Sequence, residues 1–104
     1  MNMTGSLPLL ILHALSRGAS YGYAIAKQIK ASSSDVLDFQ EGTLYPTLHK
    51  LEKDGLVEAY TTLTNGRQRL YYRLTEAGER ALEAERAAWM TYARAVNAVL
   101  GEAK

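Results

Sequence analysis

The chain has 104 residues, of which 47% are hydrophobic and 22% charged, proportions that describe one globular domain and exclude a disordered segment. With no cysteine it cannot form disulfides, thiolate metal sites or a cysteine nucleophile, and it needs no oxidising compartment. The net charge of +1 does not by itself announce a nucleic-acid binder, but Lys50, Lys53, Arg67, Arg69 and Arg73 fall in one stretch of the chain. The first residues, Met1 to Ser6, lack the positive segment of a secretory signal, and the apolar run Leu9 to Leu12 stops at His13, far short of a membrane span. A cytoplasmic protein without membrane association is expected.

Ser6 can cap a first helix that has Pro8 in its tolerated first turn, carries Leu9, Ile11, Leu12 and Leu15, and ends at Arg17-Gly18. Ser20 is expected to cap a second helix, with Ile25 and Ile29 at four-residue spacing, that ends near Ala31. Ser32 to Asp35 reads as a loop, and Val36 to Phe39 as a short strand. A third helix spans about Gly42 to Asp54, placing Leu44, Leu48 and Leu51 on a core face, and Gly55 closes it. Pro46 lacks an amide donor, which is harmless only in the first turn, so this helix should start at Thr43 or just before it. Two β-rich runs, Leu56 to Thr64 and Arg67 to Leu74, meet at Asn65-Gly66, a pair suited to the positive φ angles of a tight hairpin. Thr75 caps a last helix with Glu76 and Glu79 at the positive end of its dipole, unbroken to Leu100 with Gly101 beyond. At 1.5 Å per residue that helix is roughly 39 Å long, more than so short a chain can cover.

The expected fold is mainly α with a small β hairpin: a winged helix-turn-helix over residues 1–74 and a long C-terminal dimerisation helix over 75–104, within one compact domain. In that layout the third helix enters the major groove of double-stranded DNA. Opposite its leucines it offers Thr43, Tyr45, Thr47, His49, Lys50 and Lys53, which can donate to phosphates and base edges, and Arg67 and Arg69 sit at or beside the hairpin tip, where a wing meets the backbone. A plain solvated helix face and a hairpin charged against edge pairing would also account for these residues separately. A third possibility is a winged helix that packs on a protein partner.

The last helix carries its own pattern. Leu82, Glu85, Trp89, Tyr92, Val96 and Val99 recur at alternating spacings of three and four, a coiled-coil-like seam interrupted only by Glu85. Ala81, Ala84, Ala88 and Ala95 flank the seam and let another helix approach closely. A homodimer is therefore expected, with Leu9 and Leu12 of the unusually apolar first helix completing its interface.

Three segments carry a resemblance. The run Gly42-Thr43-Leu44-Tyr45-Pro46-Thr47-Leu48-His49-Lys50-Leu51-Glu52-Lys53-Asp54-Gly55-Leu56-Val57 resembles the recognition-helix signature of the PadR family of transcriptional regulators. Gly66-Arg67-Gln68-Arg69-Leu70-Tyr71-Tyr72-Arg73-Leu74-Thr75-Glu76-Ala77-Gly78 resembles its wing and last-helix start, and Tyr21-Gly22-Tyr23-Ala24-Ile25-Ala26 is an earlier match. The resemblance implies a dimeric regulator, usually a repressor, that binds a palindromic operator and is often released by a small molecule. It implies that Thr43, Tyr45, Lys50 and the wing arginines lie at or near DNA. Tyr21 stands where many relatives have histidine and Leu70 where many have a basic residue, so phosphate contact is not carried over to those two positions. The chain looks like the short-tailed branch, some of whose members take aromatic molecules between subunits near a tryptophan. Trp89 and Tyr92 are therefore candidates for a small aromatic ligand, the alternative being that Trp89 is interface core.

Catalysis is not expected. His13 and His49 fall on different helices, no paired carboxylates or phosphate-binding glycine loop is visible, and two histidines without cysteine make a poor metal site. No cofactor is implied.

Overall fold

The computed structural model describes residues 3–101. A 3-10 turn, Met3–Ser6, leads into α1 (Leu7–Ser16), β1 (Ser20–Tyr21), α2 (Gly22–Ser32), α3 (Glu41–Lys53), β2 (Val57–Thr64), β3 (Arg67–Leu74) and α4 (Glu76–Leu100). The three strands form one antiparallel sheet in the order β1-β3-β2. This is the expected winged helix with a long C-terminal helix, plus one short strand the sequence reading did not contain.

Helix α1 is the centre of the core. Leu7 and Ile11 are wholly buried, Leu12, Ala14 and Leu15 nearly so, and α2, α3, α4 and the sheet all pack around them. Ile25 and Ile29 come from α2, Leu44, Leu48 and Leu51 from α3, Val57 and Tyr72 from the sheet and Leu82 from α4. Ser6 occupies the N-cap position of α1 without making a side-chain capping bond.

Two local expectations are corrected. Ser20 does not cap α2, because Ser20 and Tyr21 are extended and paired with Tyr72 and Tyr71, and the N-cap position falls to Tyr21. Val36 to Phe39 form no strand: Leu37 and Phe39 pack on the core in an alternating manner, but the Leu37 amide donates to the Ser33 hydroxyl at 2.9 Å rather than to a ladder. Period-two burial without a neighbouring edge mimics a strand.

Helix α3 also starts earlier than expected, at Glu41, which puts Pro46 beyond the first turn. The carbonyl deprived of its donor belongs to Gly42, an exposed residue at which water can replace it. The helix ends in a Schellman arrangement, with the Leu56 amide donating to the Leu51 carbonyl at 2.9 Å, the Gly55 amide to Glu52 at 3.0 Å, and Gly55 at φ +76. Asn65 and Gly66 take φ values of 53° and 77°, as a two-residue hairpin turn requires. Thr75 caps α4 by accepting from the Gly78 amide at 3.0 Å and donating to the Gly55 carbonyl at 2.6 Å, which joins the end of α3 to the start of α4. Helix α4 then leaves the body of the molecule, whose principal extents are 54 × 28 × 21 Å.

Candidate nucleic-acid interface and the α4 seam

Helical spacing and burial together sort the α3 residues. His49, Lys50 and Lys53 lie on the outward side and are exposed, while Leu44, Leu48 and Leu51 face the core. Thr43 and Thr47 occupy one flank, half-buried, with the Thr47 hydroxyl donating back to the Thr43 carbonyl at 2.9 Å. Tyr45 occupies the other flank. It is half-buried and packed on the core, its ring lying against the backbone of Gly22, so it offers an edge rather than a free side chain. Lys50 pairs with Asp54 at 3.2 Å but remains 74% exposed, and such a pair holds the ammonium weakly. Lys53 has no ion pair among the described residues.

The hairpin places Arg67, Arg69, Tyr71 and Arg73 on one face of β3 by strict alternation, with Tyr72 and Leu74 on the core side. Arg67 pairs with Thr64 beside the turn and Arg69 with Thr62 two pairs further in, both near the tip as expected. The same outward face holds a row of rings that the sequence reading missed. Tyr21, Tyr71 and Tyr60 stand directly opposite one another on β1, β3 and β2, with centroids 5.4 Å and 6.0 Å apart. The Arg69 guanidinium lies 4.5 Å from the centroid of Tyr21, and that of Arg73 4.9 Å from Tyr60. The alternation Arg67, Arg69, Tyr71, Arg73 was the available signal for a basic outward face. Leu70, on the opposite face, is 46% exposed.

The residues expected at a dimer interface divide into two groups. Leu12 and Leu82 are 1% and 7% exposed in the single chain and lie in its core, so they have almost no surface to offer a second molecule. This corrects their assignment: they hold α4 onto α1. Leu9 is half-buried, Val96 partly exposed, and Trp89, Tyr92 and Val99 are 42%, 62% and 85% exposed. Trp89 and Tyr92 stand with ring centroids 6.0 Å apart at the mouth of an open groove of about 630 Å³ between α1, α3 and α4. Pro46, Thr47 and Lys50 line its α3 wall, so one flank of the outward side of α3 and the aromatic pair share one groove.

No group of His, Asp or Glu among the described residues could hold a metal ion, and no helix among them is long and apolar enough to cross a membrane.

Comparison with known proteins agrees with this geometry. The PadR-like transcriptional regulator family matches residues 11–84. The transcriptional regulator Rv3488 of Mycobacterium tuberculosis is 39% identical over 88 residues, 85% of this chain and 79% of that protein. A crystal structure of a PadR family transcription regulator from Clostridium difficile superposes with a TM-score of 0.80 at 32% identity, covering 92% of this chain and 99% of that one. Bacillus subtilis PadR, solved in complex with operator DNA, superposes with a TM-score of 0.68 at 28% identity, covering 75% of this chain and 45% of that one. The matched span runs from the middle of α1 into α4 and takes in α3 and the whole wing, and on that ground the chain belongs to the PadR-like family of transcriptional regulators, not to a family of enzymes.

Proposed function

We propose that this protein is a cytoplasmic repressor that binds a pseudo-palindromic operator as a homodimer, with α3 in the major groove and the wing on the adjacent backbone. One observation carries the reading: α3 buries its leucines and turns His49, Lys50 and Lys53 outward, in a family with a relative solved on operator DNA. Thr43, Tyr45 and Thr47 flank that row and reach base edges or sugar, while Arg67 and Arg69 neutralise phosphates. The partner subunit covers the α4 seam at Trp89, Tyr92, Val96 and Val99, together with Leu9 of α1, since exposed apolar side chains at this spacing otherwise face water.

A small aromatic molecule that enters beside Trp89 and Tyr92 releases the operator. The shared groove supports this, because its opposite wall is the flank of α3 that carries Pro46, Thr47 and Lys50. Such a ligand must bind the DNA-free arrangement more tightly than the DNA-bound one, and the operator must weaken its binding by the same factor.

The deciding experiment is selection of duplexes from a random-sequence pool, followed by footprinting and a salt titration. Two protected half-sites about one helical turn apart and a steep fall of affinity with salt are expected. No selected duplex, or affinity indifferent to salt, would remove the DNA reading in favour of a protein partner on the same face.

A further inference from the structure

We propose that Tyr21 is the positioning residue for Arg69, its ring holding the guanidinium on the outward face of the wing in readiness for a DNA phosphate. The inference rests on the DNA reading above and deepens it.

Tyr21 is itself held in place by the sheet. Its two-residue strand pairs with β3, which puts its ring opposite Tyr71, and Tyr71 is opposite Tyr60 in turn, so the three rings brace one another across the whole sheet. A platform braced in this way fixes where a stacked cation can lie. Both Arg69 and Arg73 stack on it, at 4.5 Å and 4.9 Å, but their charges have different fates. Arg73 donates through Nε to Glu58 at 2.6 Å across the outward face, so its charge already has a carboxylate partner, although the pair is more than half exposed. Arg69 has no carboxylate partner among the described residues. It is a held cation with an unspent charge.

Stacking is compatible with phosphate binding because it uses the π face of the guanidinium and leaves the N–H groups pointing outward in its plane. It also restricts the rotamers of a long side chain before DNA arrives, which reduces the ordering lost on binding. Arg67, nearer the tip, is exposed and has no ring contact among the described residues, so it lacks this restraint. Tyr21 directly precedes Gly22, whose backbone meets the ring of Tyr45, and the wing cation and the flank of α3 are thereby referenced to the same two residues.

The test uses a duplex selected by the parent protein from a random-sequence pool, with the full chain and its Tyr21→Phe, Tyr21→Leu, Arg69→Ala and Tyr21→Leu/Arg69→Ala variants. Arg69→Ala should weaken binding and lower the salt slope by about one. Tyr21→Leu should weaken binding about two- to fivefold, as loss of an exposed cation–π contact predicts, and Tyr21→Phe should match the parent. In the Arg69→Ala background, Tyr21→Leu should add nothing. If Tyr21→Leu costs as much there as in the parent, or Phe fails to rescue, Tyr21 acts only through the fold and the proposal is overturned. If Arg69→Ala binds like the parent while Lys53→Ala does not, the proposal falls and the DNA reading stands. If the parent selects no duplex, both fall.

Discussion

The ring of Tyr45 closes on the backbone of Gly22: a Cβ at position 22 would lie 2.5 Å from the Tyr45 hydroxyl oxygen and 2.6 Å from two of its ring carbons. Alanine normally stabilises a helix relative to glycine by roughly 0.5–1 kcal/mol, but at Gly22 it must displace the ring or open the α2–α3 packing. Gly22→Ala is expected to destabilise the protein by about 1–3 kcal/mol in a denaturant titration. In a Tyr45→Ala background the same substitution should cost far less, and equal cost in both backgrounds would show that the ring is not the obstacle.

Gly78 is confined by backbone instead of side chain. A Cβ there would run into the Leu56 carbonyl oxygen, which also accepts from the Thr75 amide at 3.2 Å. Neither group can rotate away, so Gly78→Ala should be more damaging than loss of the adjacent cap. Thr75→Ala should cost about 1 kcal/mol. Thermal melts of the two variants order them directly.

Tyr72 is 1% exposed, and its hydroxyl is buried with no hydrogen-bond partner among the described residues. Burial, with Glu52 and Tyr45 adding to it, raises its pKa above the ordinary phenol value. The folded state therefore favours the neutral form. Its contribution to stability is complete below about pH 10 and falls as the pH rises from there through the raised value. Tyr72→Phe should leave stability at neutral pH unchanged or raise it by up to about 1 kcal/mol, since no bond is lost, and should blunt the alkaline decline. A marked loss of stability at pH 7 would mean the hydroxyl is paired in solution.

Lys53→Ala and Arg67→Ala should each reduce the salt dependence of DNA binding by about one ion and weaken all duplexes alike. Lys50→Ala should act in the same direction and less strongly, because Asp54 already holds that ammonium part of the time. Tyr45→Phe should alter which sequences are preferred more than the salt slope. Fluorescence anisotropy on selected and scrambled duplexes separates the two behaviours.

Trp89→Asp combined with Val96→Asp should convert a dimer at micromolar concentration into a folded monomer by sedimentation, with DNA affinity falling as half the contacts are lost. Because Trp89 is the only tryptophan, its fluorescence also reports on the groove. A planar phenolic or polycyclic compound that quenches it should do so less readily with operator present. Quenching that DNA leaves unaltered would separate the groove from control of DNA binding.

Much of this fold is legible because its determinants are local. Asn65-Gly66 announces a turn through backbone conformations that few other residues tolerate, Thr75 finds its capping partner three residues away, and Leu44, Leu48 and Leu51 mark the buried side of α3 by period alone. The outward residues of α3 follow by subtraction, so His49, Lys50 and Lys53 are legible in the sequence as its exposed side. Ser20-Tyr21 is different. Nothing within two residues makes a strand, and the pair is extended only because β3 presents an edge to it. Val36 to Phe39 shows the converse, with a strand-like pattern and no edge to join.

Neighbours along the chain, or a motif carried whole within it, were enough for the order of the four helices and the hairpin, the core side of α3 and the family. Tertiary structure alone decided that Leu12 and Leu82 are consumed in the protomer's own core while Trp89 and Tyr92 are left outside it, because one apolar seam on α4 can be covered from two directions and only the path of α1 chooses between them. It likewise decided that Arg69 meets Tyr21, since register across a sheet joins residues that no spacing along the chain relates.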